Sequence, residues 1–354
     1  MSQSTLDRIV AATLYEGYIL YPYRPSSVKN QVRWTFGGVH PRAWSEASGG
    51  TDPWTARTEC LLRTTDVTTV TARVRFLQLV TRTVAGIHPP VPALDAAALA
   101  RLEEVDELRV AGVNHRAWDE ATEVAIECGT HAVASLLERE VVVEDIRPDH
   151  EDLEPLIDES GQVVGVLRRE RQPLVTEVSL TAARVAPDLV RVSVIVRNAS
   201  AFRVDGDRDR DRALHSSLVS THAILVAEHG AWLSLADPPP DAVDAAAACR
   251  NVGLWPVLVG EPGSSDTVLA SPIILEDHPE VAPESSGDLF DATEIDEILS
   301  LRILALTDDE KAEMRAADSR ARALLDRTEA LTGDDLMRMH GTLREVRPVI
   351  GDRR

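Results

Sequence analysis

The residues best suited to chemistry cluster at Glu276, Asp277, His278, Glu280, Glu284 and Asp288. Carboxylates and imidazole are ligand types for divalent metals, and a loop can fold several of them around one ion. Metal-assisted hydrolysis is the reaction such a set would run. Asp277 and His278 are adjacent, however, and adjacent side chains of an extended chain point to opposite sides, so one ion does not readily take both. The whole stretch from Asn251 to Leu301 contains no Lys or Arg. It therefore also reads as a negative docking surface for a basic protein partner.

A second cluster is aromatic. All four tyrosines, Tyr15, Tyr18, Tyr21 and Tyr23, precede Trp34, with Arg24, Lys29 and Arg33 interleaved. Rings alternating with cations suit stacking and cation–π contacts to a peptide or an aromatic ligand. Tyrosine is also an interface anchor, because it brings area with few rotatable bonds. The same rings equally suit packing on a sheet edge.

Other patterns are weaker. Ser216, Ser217 and Ser220 lie near His215 and His222, but no G-x-S-x-G elbow surrounds them. Cys128 and His131 form a loose pair. Cys60, Cys128 and Cys249 are far apart, and no C-x-x-C spacing occurs, which argues for buried thiols and against a disulfide framework or zinc ribbon. Val204–Arg212 has D-x-D-x-D spacing, but neither the turn Gly nor the terminal Glu of a calcium loop is in place, and its arginines would repel a cation. It reads as a solvated loop. Gly260–Gly263 is not followed by G-K-[ST], so no phosphate loop is present. The sequence points to no cofactor and to no specific metal ligand set.

The elements that must position these residues read as follows. Thr5–Leu14 suits a short amphipathic helix or a lead into a strand. Tyr18–Tyr21 and Gln31–Phe36 read as strands around a turn set by Pro22 and Pro25. Ala56–Leu62 and Thr68–Val84 read as two strands, closed by a turn at Pro89–Pro92. Asp95–Asp106 reads as a helix with Leu94, Ala98, Leu102 and Val105 on one face. Asp119–Cys128 suits a strand or a helix. Glu140–Ile146 and Gln162–Arg169 read as strands, with a turn at Gly161. Leu174–Val185 and Leu189–Arg197 form the clearest hairpin. Thr221–Ala227 and Trp232–Leu235 are expected to pair across His229-Gly230, and Asp241–Arg250 reads as a helix. Val257–Gly260 and Ser271–Leu275 read as strands. Capping boxes at Asp291–Glu294 and Thr307–Glu310 start helices, and Ser319–Leu331 and Thr332–Val346 continue them. The expected fold is α+β: mainly an antiparallel β-sandwich or partly open barrel core with a helical C-terminal region. Expected divisions are residues 1–106, 107–285 and 286–354, or one large domain up to 285.

Composition bounds the function. The chain has 354 residues and a net charge of −21, so a nucleic-acid partner, which needs a basic stripe, is not expected. No apolar run approaches the roughly 18–20 residues that span a bilayer. The opening MSQSTLDRIV has an acid and no apolar stretch of a secretory signal, so a cytoplasmic location is expected.

Two long stretches resemble a known family. YEGYILYPYRPSSVKNQVRWTFG, Tyr15–Gly37, and WPVLVGEPGSSDTVLASPIILEDHPEVAPESSGDLFDATEIDEILSLRILALTDDEKAEMRAADSRARALLDR, Trp255–Arg327, resemble an uncharacterised, mainly actinobacterial protein family encoded near genes for nickel–iron uptake hydrogenases. The resemblance implies association with a hydrogenase system and no particular reaction. A C-x-x-C pair or His-rich tract for handling nickel is missing. The expectation is a non-catalytic accessory protein that binds a protein partner, a hydrogenase subunit or maturation factor. The candidate binding residues are the aromatic set from Tyr15 to Trp34 and the acidic set from Glu276 to Asp288. A metal-assisted hydrolase and a small-ligand-binding β domain are the alternatives. Oligomeric state is not readable from the sequence.

Overall fold

The structure, a computed structural model, describes residues 7, 9–10, 13–14, 37–206, 209–279, 300–317 and 319–333. Its centre is one long strand, β1, Thr55–Val91. The run TVTARVRFLQLVTRTV is rich in β-branched and apolar residues, which fit a pleated surface buried on both faces. Around it in chain order come β2 (Glu103–Val105), β3 (Glu107–Val110), β4 (Val113–Arg116), β5 (Trp118–Ala132), β6 (Val141–Arg147), β7 (His150–Ile157), β8 (Val163–Arg171), β9 (Leu174–Ala186), β10 (Leu189–Asn198), β11 (Val219–Leu233), β12 (Trp255–Leu258) and β13 (Thr267–Ser271).

β1 changes partners along its length, and every strand it pairs with is antiparallel to it; a single parallel bridge joins Arg57 to Gly253. β10 and β11 both pair with Leu61–Arg63, so they lie on opposite sides of it. β5 follows β10 on one side, over Thr69–Arg82, and β8 follows β11 on the other, over Thr81–Val91. The main path of the sheet is β12-β13-β11-β1-β10-β9-β6, while β3 and β4 pair separately. Alternating inward residues of β5 (Val124, Ile126, Cys128), β9 (Leu174, Val178, Leu180) and β10 (Val190 to Val196) meet in one cluster. Packing of these inward faces on one another gives the expected α+β class, an open antiparallel sandwich with helices near the C-terminus.

Several local expectations are corrected. The gap between Leu62 and Thr68 is not a strand break. The ladder to β11 slips between Thr64 and Thr69, and Thr68 fills the slip: its hydroxyl accepts from the Thr65 N–H at 2.7 Å and donates to the His229 carbonyl at 2.6 Å. His229-Gly230 is accordingly an irregularity inside a single strand rather than a hairpin turn. Gly230 is required there, since a Cβ would come 2.9 Å from the Arg63 carbonyl oxygen. Pro89 and Pro90 fall within β1, not in a turn after it. The helix over Asp95–Asp106 is cut to Ala96–Leu99, capped by the Asp95 carboxylate on the Ala98 N–H at 2.8 Å, because Glu103–Val105 pairs with Val84–Gly86. Leu94, Ala98 and Leu102 still share one cluster; Val105 joins another. Val243–Ala247 is the helical part of Asp241–Arg250. In Val204–Arg212 the last residues open a helix, Asp209–His215. Trp118–Ala132 is strand throughout, which resolves the strand-or-helix choice at Asp119–Cys128.

Other expectations are met. The β9–β10 hairpin turns through Pro187-Asp188, with Ala186 opposite Leu189. The Thr307 capping box is formed in both directions, Thr307 N–H to the Glu310 carboxylate at 2.9 Å and Glu310 N–H to the Thr307 hydroxyl at 3.3 Å. It starts the helix Asp308–Ala317, which packs with Ser319–Glu329 around Ile303, Met314 and Leu325. Arg116 of β4 reaches Glu313 at 3.8 Å and also pairs with Glu107, so the helices are tied to the β3–β4 hairpin. No described helix is long and apolar enough to cross a membrane.

Residues 7, 9, 10, 13 and 14 are helical. Ile9 and Val10 cover Ile224, Val257, Val259 and Leu269, with Leu275 alongside. The opposite faces of these strands, at Ala223, Leu225, Leu258, Val268 and Ala270, belong to the main core. Burial on two faces explains the unbroken apolar run of β11, and full burial of Ile9 or Val10 is worth roughly 1.5–3 kcal/mol each.

Candidate functional site

Of the acidic candidates, Glu276, Asp277 and His278 lie within the described residues; Glu280, Glu284 and Asp288 lie outside them, as do Tyr15, Tyr18, Tyr21, Tyr23, Arg24, Lys29, Arg33 and Trp34. Glu276 is exposed. Asp277 and His278 sit on the outer edge of β12 and are occupied by main-chain work. The Val259 N–H donates to Thr267 across the β12–β13 ladder. By alternation, the main-chain groups of Trp255 and Val257 point to β13, while those of Pro256 and Leu258 point away from it. Proline has no N–H to offer. The Leu258 N–H donates to Asp277 Oδ1 at 2.8 Å, and the Leu258 carbonyl accepts from the His278 N–H at 2.7 Å. Asp277 Oδ2 accepts from the Ser234 hydroxyl, whose oxygen in turn takes the N–H groups of Ala236 and Asp237 at 3.1 and 2.8 Å. His278 holds φ at 56°, a left-handed backbone held by these bonds, and its Nδ1 lies 3.3 Å from the Gly260 carbonyl. The pair therefore seals a sheet edge.

The chain reaches this edge through a clamp that the sequence did not reveal. Glu59 of β1 is 1% exposed. Its carboxylate accepts from Arg57, from the Ser193 hydroxyl at 3.0 Å and from the Arg250 N–H at 2.7 Å. Burial pushes this carboxyl up; the Arg250 N–H, Arg57 and Ser193 outweigh it, and the net position is below the ordinary carboxylate range. Asn251 completes the clamp, its Oδ1 accepting from the Glu59 N–H at 2.7 Å and from the Thr58 hydroxyl at 3.2 Å. Residues some 190 positions apart leave no local pattern, and only the missing basic residues after Arg250 hinted that the segment was unusual.

The serine–histidine neighbourhood holds no nucleophile–base pair. His222 is buried; its Nδ1 meets the Ser220 carbonyl at 2.7 Å and its Nε2 meets the Thr13 hydroxyl at 3.0 Å. Burial lowers its pKa to about 4, so the ring is neutral. With Nδ1–H donated to Ser220, Nε2 accepts from Thr13. Ser217 donates to the Ala213 carbonyl at 2.6 Å, and His215 pairs with Asp119 at 3.0 Å. His131 contacts the Cys128 carbonyl, not its thiol, at 2.8 Å. Burial pushes the Cys60 and Cys128 thiols up to about 12 and Cys249 to about 11. Such thiols are poor nucleophiles at neutral pH.

The described residues at and just ahead of the first resembling stretch meet described residues within the second. The Gly37 carbonyl accepts from the Thr221 N–H at 3.1 Å. Gly37 has φ +56° and stands so close to Pro272 that a Cβ would lie 2.2 Å from the proline Cβ. Ile9 and Val10 pack beside Leu275, and Leu14 packs on Leu77, Leu79 and Val219. After Gly37 the chain is pinned again: Asn198 donates to the Val39 carbonyl at 2.9 Å and to the Ser216 carbonyl at 2.7 Å. Asp52 accepts from Trp44 Nε1 at 3.0 Å and from Arg210 at 3.2 Å.

Among the described residues no group of three or more His, Cys, Asp or Glu is placed to hold a metal ion. No protein-family model matches the chain, and no curated protein matches it.

Proposed function

We propose that this chain is a non-catalytic accessory protein of a nickel–iron hydrogenase system, assisting assembly, maturation or stabilisation by binding a protein partner. One observation carries the reading. Gly37, the described end of the first family-like stretch, lies against Pro272 of the second, and Ile9 and Val10, a few residues ahead of the first, pack with Val257, Leu269 and Leu275 of the second. Segments anchored together can act as one binding surface. The net charge of −21 favours a basic protein over nucleic acid as that partner. A cytoplasmic location belongs to the same reading.

The test is recovery from the native host with the full tagged chain. Enrichment of a hydrogenase subunit or maturation factor, lost when the tyrosines from Tyr15 to Tyr23 are changed to Ser, supports the proposal. Enrichment of neither class of protein from cells actively making hydrogenase counts against it.

A further inference from the structure

The sheet's other terminal strand, β6, is built as an open edge. Val175 of β9 turns its main chain toward β10: its N–H donates to the Ser200 hydroxyl at 2.9 Å and its carbonyl accepts from the Ala199 N–H at 2.8 Å. Val175 stands opposite Ile146, so alternation assigns Arg147, Asp145, Val143 and Val141 to the ladder with β9 and turns the N–H and C=O groups of Val142, Glu144 and Ile146 outward. No described residue bonds to those outward groups. The same three residues carry exposed side chains, Val142 at 53% and Ile146 at 66%. Underneath, Val141 and Val143 pack on the main core, so the strand is firmly seated.

The charge pattern selects what fits there. Glu144 lies directly opposite Glu177, and Glu177 is already paired with Arg197 at 2.9 Å. Glu144 has no described cation. A second copy of β6 centred on the same residue would set Glu144 against Glu144 and bring together two chains of net charge −21, so self-pairing is disfavoured. We propose that β6 accepts an antiparallel strand from a partner protein, carrying Lys or Arg opposite Glu144 and apolar residues two positions to either side, opposite Val142 and Ile146. Main-chain bonds supply the affinity and the central cation the selectivity. This surface is independent of the hydrogenase reading: failure of the pull-down leaves it standing, and failure of the experiment below leaves the pull-down reading standing.

The experiment titrates the full chain with a labelled nonapeptide, TTVTKTVTT, against its counterpart TTVTETVTT, by fluorescence anisotropy at low salt. The lysine peptide is expected to bind about five- to tenfold tighter. Glu144→Lys reverses the preference. Glu144→Pro deletes one outward N–H, which an edge strand tolerates, and abolishes binding of both peptides. Amide exchange provides a measure that needs no variant: Val142, Glu144 and Ile146 exchange fast in the free chain and slowly with the lysine peptide. Equal binding of the two peptides, no binding, unchanged binding in Glu144→Pro, or slow exchange in the free chain (another part of it, or a second copy, covering the edge) overturns the proposal.

Discussion

The two ends of the sheet solve the same problem in opposite ways. A terminal strand presents unpaired main-chain groups that invite another chain. At β12 they are taken away: Pro256 has no N–H, and Asp277 and His278 occupy both groups of Leu258. At β6 nothing described takes them, and the outward face is apolar around one carboxylate. The closed edge explains why the acid- and histidine-bearing segment looked chemically active in the sequence. Asp is also a good main-chain cap, and the carboxylate suited to an ion instead holds the Leu258 N–H. The open edge passed without notice, because VVVEDIR reads as an ordinary strand until its neighbours are known.

The contrast can be broken most severely at Glu59, which holds the approach to the closed edge. Glu59→Ala leaves Arg57, Ser193 and the Arg250 N–H without their acceptor in a buried site, and is expected to cost about 3–5 kcal/mol, measured by urea unfolding. Glu59→Gln keeps an oxygen acceptor and should cost distinctly less. A loss as small for Ala as for Gln would remove the clamp from the account.

Acid should act next, and on the closed side. An unfolded histidine titrates near 6.5 and folded His222 at about 4. Between those values the unfolded chain binds more protons, so stability falls as pH drops, by roughly 3 kcal/mol over the window, and is insensitive to this group above it. Glu59, held below its usual range, adds to the loss further into acid. Stability measured from pH 7 to 4 should show this slope, and His222→Asn should flatten it.

Asp277→Ala is expected to cost about 1–3 kcal/mol, the penalty for an unsatisfied Leu258 N–H, and to speed amide exchange at Leu258. It should leave exchange along β6 unchanged; an equal effect at both ends would mean that the edges are not independent. The smallest effect belongs to Glu144→Lys. It replaces a like-charge cross-strand pair with Glu177 by an attractive one, and should stabilise by about 0.2–1 kcal/mol in thermal melts at low salt.

Much of the framework was legible because it is local. The β9–β10 hairpin follows from two alternating runs around Pro187-Asp188, and the Thr307 box from residues three apart. The misreadings share a cause. At Asp95–Asp106 helical periodicity lost to pairing of Val105 with Val84, and at His229-Gly230 a turn signal lost to a slip filled by Thr68 from far upstream. In both, a distant strand supplied hydrogen bonds that local propensity could not anticipate.

The sequence by itself determined the antiparallel β-rich class, the helical C-terminal region, the acidic balance and the buried character of Cys60 and Cys128, though not of the half-buried Cys249, since each depends on composition or short-range periodicity. Tertiary structure alone decided what the ionisable groups do. Glu59 meets Arg250, His222 meets Thr13 and Asp277 meets Leu258 across the fold. It also decided which edge is closed and which open, because whether a main-chain group is satisfied depends on what the rest of the chain brings beside it.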